Sequence, residues 1–165
     1  WAASPPYTCL GGGRVAILDS DVFKRIEKYF YIYDKIAQAV QEAREQLLYG
    51  QAGAEKTGGG GHCYISDPTA QKAIGLADPI RRVDVDGETI RRPEDWLKVV
   101  AVTRQRFAGT PMGELMERRY WRNETIVQTC MEMSIDRSTY YYWREDIITY
   151  AAMVCCQVGL MKVTE

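Results

Sequence analysis

Histidine is nearly absent from this sequence: of its 165 residues only His62 is one. With no C-x-x-C pair either, a structural zinc site has no ligand set to draw on. A nucleophile–imidazole–carboxylate set would have to be built on a histidine beside a glycine run, and no paired-carboxylate pattern stands out. No catalytic residue, cofactor or metal is therefore expected, and the chain does not read as an enzyme. Long apolar runs are missing as well. No stretch approaches the 18 residues of a membrane span, so no membrane partner is expected. Charge of one sign is also lacking. The formal net charge is −1, so nothing draws the whole molecule to a polyanion, and any nucleic-acid function must sit in a local site. The five cysteines (Cys9, Cys63, Cys130, Cys155, Cys156) are an odd number without repeated spacing. Cys155 and Cys156 fall on successive positions of an apolar helical run, about 100° apart. No disulfide lattice follows, and a reducing cytoplasm fits best.

What is present begins with a segment of no periodicity, Trp1–Arg14 (WAASPPYTCLGGGR), without the basic start and apolar core of a secretion signal. Residues 1–20 are expected to be disordered. One hypothesis is that Gly11–Arg14 is a translated purine-rich ribosome-binding site and that the native start lies near Val15; N-terminal sequencing of the natural protein decides it. Asp19-Ser20-Asp21 offers capping side chains for one long helix over 21–49. There Phe23, Ile26, Tyr29/Phe30, Tyr33, Ile36/Ala37, Val40, Ala43 and Leu47 recur at spacings of three and four. Such a stripe needs a partner, the rest of the fold or a second copy, which makes a homodimer an expectation. Residues 50–61 hold six glycines. Lys56-Thr57 precedes the glycine run instead of closing it, so this is a flexible loop and not a phosphate cradle. Ser66-Asp67-Pro68-Thr69 reads as the start of a short helix ending near Ala77. Residues 82–91 alternate around Asp86-Gly87, the signature of a small β-hairpin. The arginines at 81, 82, 91 and 92 make a basic cluster offset by Asp84, Asp86 and Glu88, with contact to phosphate as a lesser expectation.

From Pro93 the pattern is helical. Pro93-Glu94-Asp95 makes a good first turn, and Trp96, Val99/Val100, Thr103 and Phe107 form a stripe. Gly109-Thr110-Pro111 breaks it, and a second helix over about 112–121 is expected to bury Leu115, Met116 and Tyr120. The segment Thr125–Glu145 (TIVQTCMEMSIDRSTYYYWRE) then has the layout of a helix-turn-helix. Thr125-x-x-Gln128 is a capping box. Ile126, Cys130 and Met133 form the inner face, with Cys130 the small residue where the helices cross. Met133-Ser134-Ile135 is the turn, serine standing where glycine is commonest. Asp136 caps the second helix, whose Tyr140, Trp143 and Ile147 point inward. Left outward are Arg137, Ser138, Thr139, Tyr141 and Tyr142, with Arg144 two turns on. These are hydrogen-bonding side chains where a major-groove reader needs them. Thr125 and Gln128, at the start of the first helix, are placed to meet a backbone phosphate. Against this, amphipathic helical hairpins are common in proteins that never meet DNA. Residues 112–150 also hold five basic and seven acidic side chains, too little positive charge for strong binding unaided. Stacking of the 140–143 aromatics on single-stranded bases is the weaker alternative, since helical spacing sends Tyr140 and Trp143 to the core.

The stretch from Met116 to Leu160 resembles phage late-transcription activators of the RinA/ArpU type. The likeness rests on Glu117-Arg118-Arg119-Tyr120, on the run Ile135-Asp136-Arg137-Ser138-Thr139-Tyr140-Tyr141-Tyr142-Trp143 and on Val158-Gly159-Leu160. Ser66-Asp67-Pro68-Thr69 is similar to these proteins too. Asp136 departs from the serine usual there, and both residues cap helices. The resemblance implies a sigma-factor-like C-terminal helix-turn-helix that activates phage late genes on double-stranded DNA, alongside bacterial RNA polymerase. The alternative is a small terminase subunit marking viral DNA for packaging. In those the reader usually precedes the oligomerisation helices, the reverse of the order here. The expected fold is all-α, with one small hairpin at most. Residues 21–92 would be a helical arm with the glycine loop and hairpin, and 93–165 the helix-turn-helix domain. The last long helix, from about 137 to 157, would pack Ala151, Ala152, Val154 and Cys155 on the helix near 94–107.

Overall fold

The computed structural model describes residues 18–49 and 78–161. The expectations for residues 1–17, the glycine loop, the helix start at Ser66–Thr69, His62, Cys9 and Cys63 lie outside the described residues.

The described chain is mostly helical with one two-stranded hairpin. Helix α1 (Ser20–Tyr31) starts where the Asp19 carboxylate accepts the Asp21 N–H at 2.8 Å. Helix α2 (Tyr33–Tyr49) follows after Ile32, whose φ of −103° and ψ of 12° interrupt the spiral. The single helix expected over 21–49 is thus two. Aromatic rings pack on both sides of the break. Tyr29 stacks on Trp96 at 3.6 Å between ring centroids. Phe30 and Tyr31 both meet Tyr120, at 5.1 and 5.0 Å, and Tyr33 meets Trp121 at 6.1 Å. The rings at 29, 30, 31 and 33 thus flank the break and meet partners far along the chain.

Strands β1 (Arg82–Val85) and β2 (Glu88–Arg91) pair antiparallel, Arg82 opposite Arg91 and Val85 opposite Glu88. The turn residues Asp86 and Gly87 both have positive φ, 52° and 79°, as a type I′ hairpin requires. Val83, Val85 and Ile90 face the core. Helix α3 (Pro93–Phe107) opens with proline at its first turn. Helix α4 (Pro111–Met116) is capped by Thr110 and continues as a π-helical turn, Glu117–Trp121, where one α-helix was expected. Gly113 is obligatory there: a Cβ would lie 2.2 Å from the Phe107 carbonyl oxygen. Helices α5 (Ile126–Glu132) and α6 (Arg137–Gln157) complete the order.

One hydrophobic core joins all of this. Ile26, Phe30, Ile36 and Val40 from α1 and α2 are buried with the hairpin valines, Trp96, Val99 and Val100 of α3, Leu115, Met116 and Tyr120, and Tyr140, Ile147 and Ile148 of α6. At about 2 kcal/mol per buried side chain, those first four contribute roughly 8 kcal/mol of apolar burial, against which the conformational entropy of ordering the chain is set. The described parts of residues 21–92 therefore share one core with the helices that follow. Their stripe is buried by the same chain as far as Val40, with Ala43 partly buried, whereas Leu47, expected on it, is exposed. Ala151, Ala152, Val154 and Cys155 are buried on the later turns of α6, and Phe107 of α3 meets Tyr150 edge-on at 5.6 Å. Burial pushes the Cys155 thiol up to about 12, so at neutral pH it is a packed hydrophobe and not a nucleophile.

Candidate nucleic-acid interface

Helix α5 begins with both halves of a capping box. The Gln128 N–H donates to Thr125 Oγ1 at 3.3 Å, and the Thr125 N–H donates to Gln128 Oε1 at 3.0 Å. The Thr125 hydroxyl proton goes to the same Gln128 oxygen, at 2.9 Å. The two residues expected to meet phosphate are exposed, and they hold each other while they cap the helix. On the inner face the fully buried residue is Thr129. Ile126, Cys130 and Met133 are partly buried against the core. The small residue that is completely buried on α5 is thus Thr129, one position before Cys130. Its hydroxyl donates to the Thr125 carbonyl oxygen at 3.1 Å, which is how a polar side chain is accepted there.

The turn closes as a Schellman motif. Ser134 has a φ of 52°, in the left-handed region where glycine is favoured. Its N–H donates to the Met131 carbonyl oxygen at 3.2 Å, and the Ile135 N–H donates to that of Cys130 at 3.0 Å. Ile135 and Cys130, both partly buried, supply the apolar pair that accompanies this motif. Serine thus stands in a glycine conformation, and the turn takes its expected shape under strain.

Asp136 caps α6 by accepting the Thr139 N–H at 2.9 Å. Its carboxylate also takes the Ser138 hydroxyl and, at 3.2 Å, that of Thr139. The Ser138 hydroxyl and the Thr139 N–H hold the Asp136 carboxyl below the usual carboxylate range. Ser138 is exposed and Thr139 half-buried. With both hydroxyl protons given to Asp136, the two offer lone pairs outward and no donor. Arg137, Tyr141 and Tyr142 are exposed and Tyr140 is completely buried, so of the outward set expected on the first turns of α6 all but the half-buried Thr139 are exposed. The Arg137 side chain makes no hydrogen bond or ion pair among the described residues. Trp143 is half-buried against the core.

Arg144 belongs elsewhere. It was expected on the DNA side, but its Nε and Nη2 donate to both carboxylate oxygens of Glu27, at 2.6 and 2.5 Å. Its guanidinium also lies 4.6 Å from the centroid of the Phe23 ring. Burial alone would lower its pKa; the Glu27 carboxylate outweighs this and holds the arginine above its ordinary range. Tyr120 donates its hydroxyl to Glu27 at 3.0 Å, and burial together with that carboxylate raises its pKa well above 10. A fork of five donors satisfies a buried carboxylate better than any other side chain, so Arg144 fastens α6 to α1 and cannot also reach a ligand.

The remaining basic residues divide in the same way. Arg118 is tied to Glu114 at 3.0 Å and Glu124 at 3.3 Å, which joins α4 to the start of α5. Arg119 donates to the Glu124 carbonyl oxygen at 3.1 Å and lies over Tyr31. Its Nε and the Tyr140 hydroxyl are buried without a hydrogen-bond partner. Of five basic residues between 112 and 150, Arg122 and Arg137 are the exposed pair without an ion pair among the described residues. Arg122 was not singled out in the sequence; its neighbours Arg118 and Arg119 look the same until their carboxylate and carbonyl partners are located. Val127 and Met131, exposed one turn apart on α5, were also missed.

Among the described residues, no group of three or more metal-ligating side chains comes together and no helix is long and apolar enough to cross a membrane. No protein-family model matches the chain, and neither does any curated protein or solved structure.

Proposed function

We propose that the chain is a sequence-specific, double-stranded-DNA-binding transcription regulator, with α5–α6 as its helix-turn-helix. The observation that carries this reading is the Ser134 turn. It ends α5 and restarts the chain at Asp136, with Tyr140 turned into the core and Arg137, Ser138, Tyr141 and Tyr142 turned to solvent on the first two turns of α6. A helix laid into a major groove reads bases with side chains at such positions. Arg137 is the donor suited to guanine, and the tyrosine hydroxyls and rings suit mixed polar and methyl contacts. Thr125 and Gln128, with Val127 and Met131 beside them, would lie where α5 crosses the backbone and set register. The RinA/ArpU-type resemblance supports activation of phage late genes in company with bacterial RNA polymerase as the setting.

The test is selection of bound fragments from the source genome, for the native protein and for Arg137→Ala and Tyr141→Ala. Each substitution should relax preference at one or two positions, worth about 1–3 kcal/mol per base pair, with the thermal midpoint unchanged. Identical enrichment by all three proteins would remove α6 as the reader.

A further inference from the structure

The most concentrated unpaired positive charge among the described residues is at the base of the hairpin, away from α5–α6. Pro79, Ile80, Arg81, Arg82, Arg91, Arg92, Glu94 and Asp95 line a cleft of about 490 Å³ there. By composition the region looks neutral, since five carboxylates (Asp84, Asp86, Glu88, Glu94, Asp95) accompany four arginines. Their partners change that balance. Glu88 is bound by Lys28, Asp86 by Lys35 at 2.6 Å, Glu94 by Arg44 at 2.7 Å and Asp95 by Arg92 at 2.6 Å. Asp84 accepts the Thr89 hydroxyl at 2.6 Å and is the one acidic group here without a cationic partner among the described residues. Arg92 is further occupied by the Val158 and Gly159 carbonyl oxygens, both at 2.8 Å. Arg81, Arg82 and Arg91 remain, exposed and with guanidinium groups that make no hydrogen bond or ion pair among the described residues. Arg82 and Arg91 stand directly opposite each other in the ladder, an arrangement that opposes pairing and that an anion between them would relieve.

We propose that Arg81, Arg82 and Arg91 bind the sugar-phosphate backbone of duplex DNA, as a second contact that supplies affinity without reading sequence. The inference rests on the reading of α5–α6 as the base reader. Three guanidinium forks suit phosphate oxygens, and among the described residues that line the cleft only Ile80 and Pro79 are apolar, with no aromatic ring on which a base could stack. The reader also needs such a contact. Between 112 and 150, Arg118 and Arg144 are held by carboxylates and Arg119 by a carbonyl. Through Arg92 the cleft is fixed to the chain just past the C-terminal end of α6, whereas Arg137 opens that helix. Twenty residue steps separate the two ends, about 30 Å, close to one turn of duplex. The contact therefore falls on backbone remote from the bases read.

The experiment measures affinity of the full chain for a duplex of arbitrary sequence and for a selected fragment, across 50–200 mM salt. The variants are Arg81→Gln/Arg82→Gln/Arg91→Gln, the single Arg82→Gln, and Arg137→Ala. The triple variant should weaken binding to both duplexes equally and flatten the log–log salt slope by about 3, the single one by about 1. Base preference should stay intact. Arg82→Gln removes one of two facing like charges, so it folds even if the triple variant does not. An unchanged slope in Arg82→Gln, with Arg137→Ala still altering preference, overturns the hairpin site and leaves the reader standing. A lost slope with Arg137→Ala silent keeps the hairpin site and overturns the reader. Binding to anionic vesicles or inorganic pyrophosphate, with none to either duplex, overturns the proposal.

Discussion

Arg137 and Arg144 lie two turns apart on one helix and do opposite things. Arg137 projects from the first turn of α6 with no protein partner among the described residues. Arg144 is gripped by both oxygens of a carboxylate on α1. The first turn of α6 is shaped to present side chains and the third to hold the molecule together. A count of basic residues treats the two alike. What decides availability is whether a carboxylate of the same chain is already in reach.

The sharpest way to break this contrast is to remove Glu27. Its carboxylate is about one-tenth exposed and serves Arg144 and Tyr120 together. Glu27→Ala leaves a half-buried guanidinium and a buried hydroxyl without their partner, which should destabilise the fold by about 3 kcal/mol. For a chain of this size that lowers the thermal midpoint by roughly 6–12 °C. Arg137→Ala, on the same helix, should leave it within about 2 °C. Equal melting of the two variants by circular dichroism would abolish the distinction between a holding arginine and a presenting one.

How much of this could be read from residues alone follows from the same distinction. Local patterns were legible. The Thr125/Gln128 capping box, the Asp86-Gly87 hairpin, the Asp136 cap and the inward Tyr140 all depend on neighbours within a few positions, and all are found. The break at Ile32, the π turn at 117–121 and the engagement of Arg144 were not. Each involves a partner far along the chain: Trp96 and Tyr120 for the α1 rings, Glu27 for an arginine 117 positions away. Thr129 was passed over for Cys130 because a threonine becomes a core residue only when its hydroxyl finds the carbonyl four positions back. The hairpin arginines looked neutralised because the lysines that occupy two of the three intervening carboxylates, Asp86 and Glu88, come from α1 and α2.

The second test concerns the turn that separates presenting from holding. At Ser134 an L-residue sits at a φ of 52°, a conformation costing roughly 1–2 kcal/mol for a side chain with a Cβ. Ser134→Gly should stabilise the protein by about 0.5–1 kcal/mol. Ser134→Val, with a branch at Cβ, should destabilise it by about 2 kcal/mol. Denaturant unfolding of the three proteins gives the order Gly, Ser, Val. Any other order would mean that the left-handed turn is not kept in solution.

The smallest effect comes from Asp136, where presenting and holding meet in one residue. Its carboxylate fixes the start of α6 but sets a negative charge beside Arg137, against any phosphate. Asparagine caps a helix as well as aspartate. Asp136→Asn should therefore keep the thermal midpoint within about 2 °C at pH 7 while raising duplex affinity about threefold at low salt. That gain should shrink as salt screens the lost charge. Acid gives the independent check. The Ser138 hydroxyl and Thr139 N–H lower the folded-state pKa of Asp136, so the native form holds its proton less tightly than the unfolded chain. The stabilisation is complete above the unfolded value of about 4 and is lost as pH falls through the lower folded value. Between pH 5 and 2 the native protein should lose stability more steeply than Asp136→Asn. Parallel acid curves would mean that the carboxylate does not hold the first turn, and the start of α6 would then serve presentation alone.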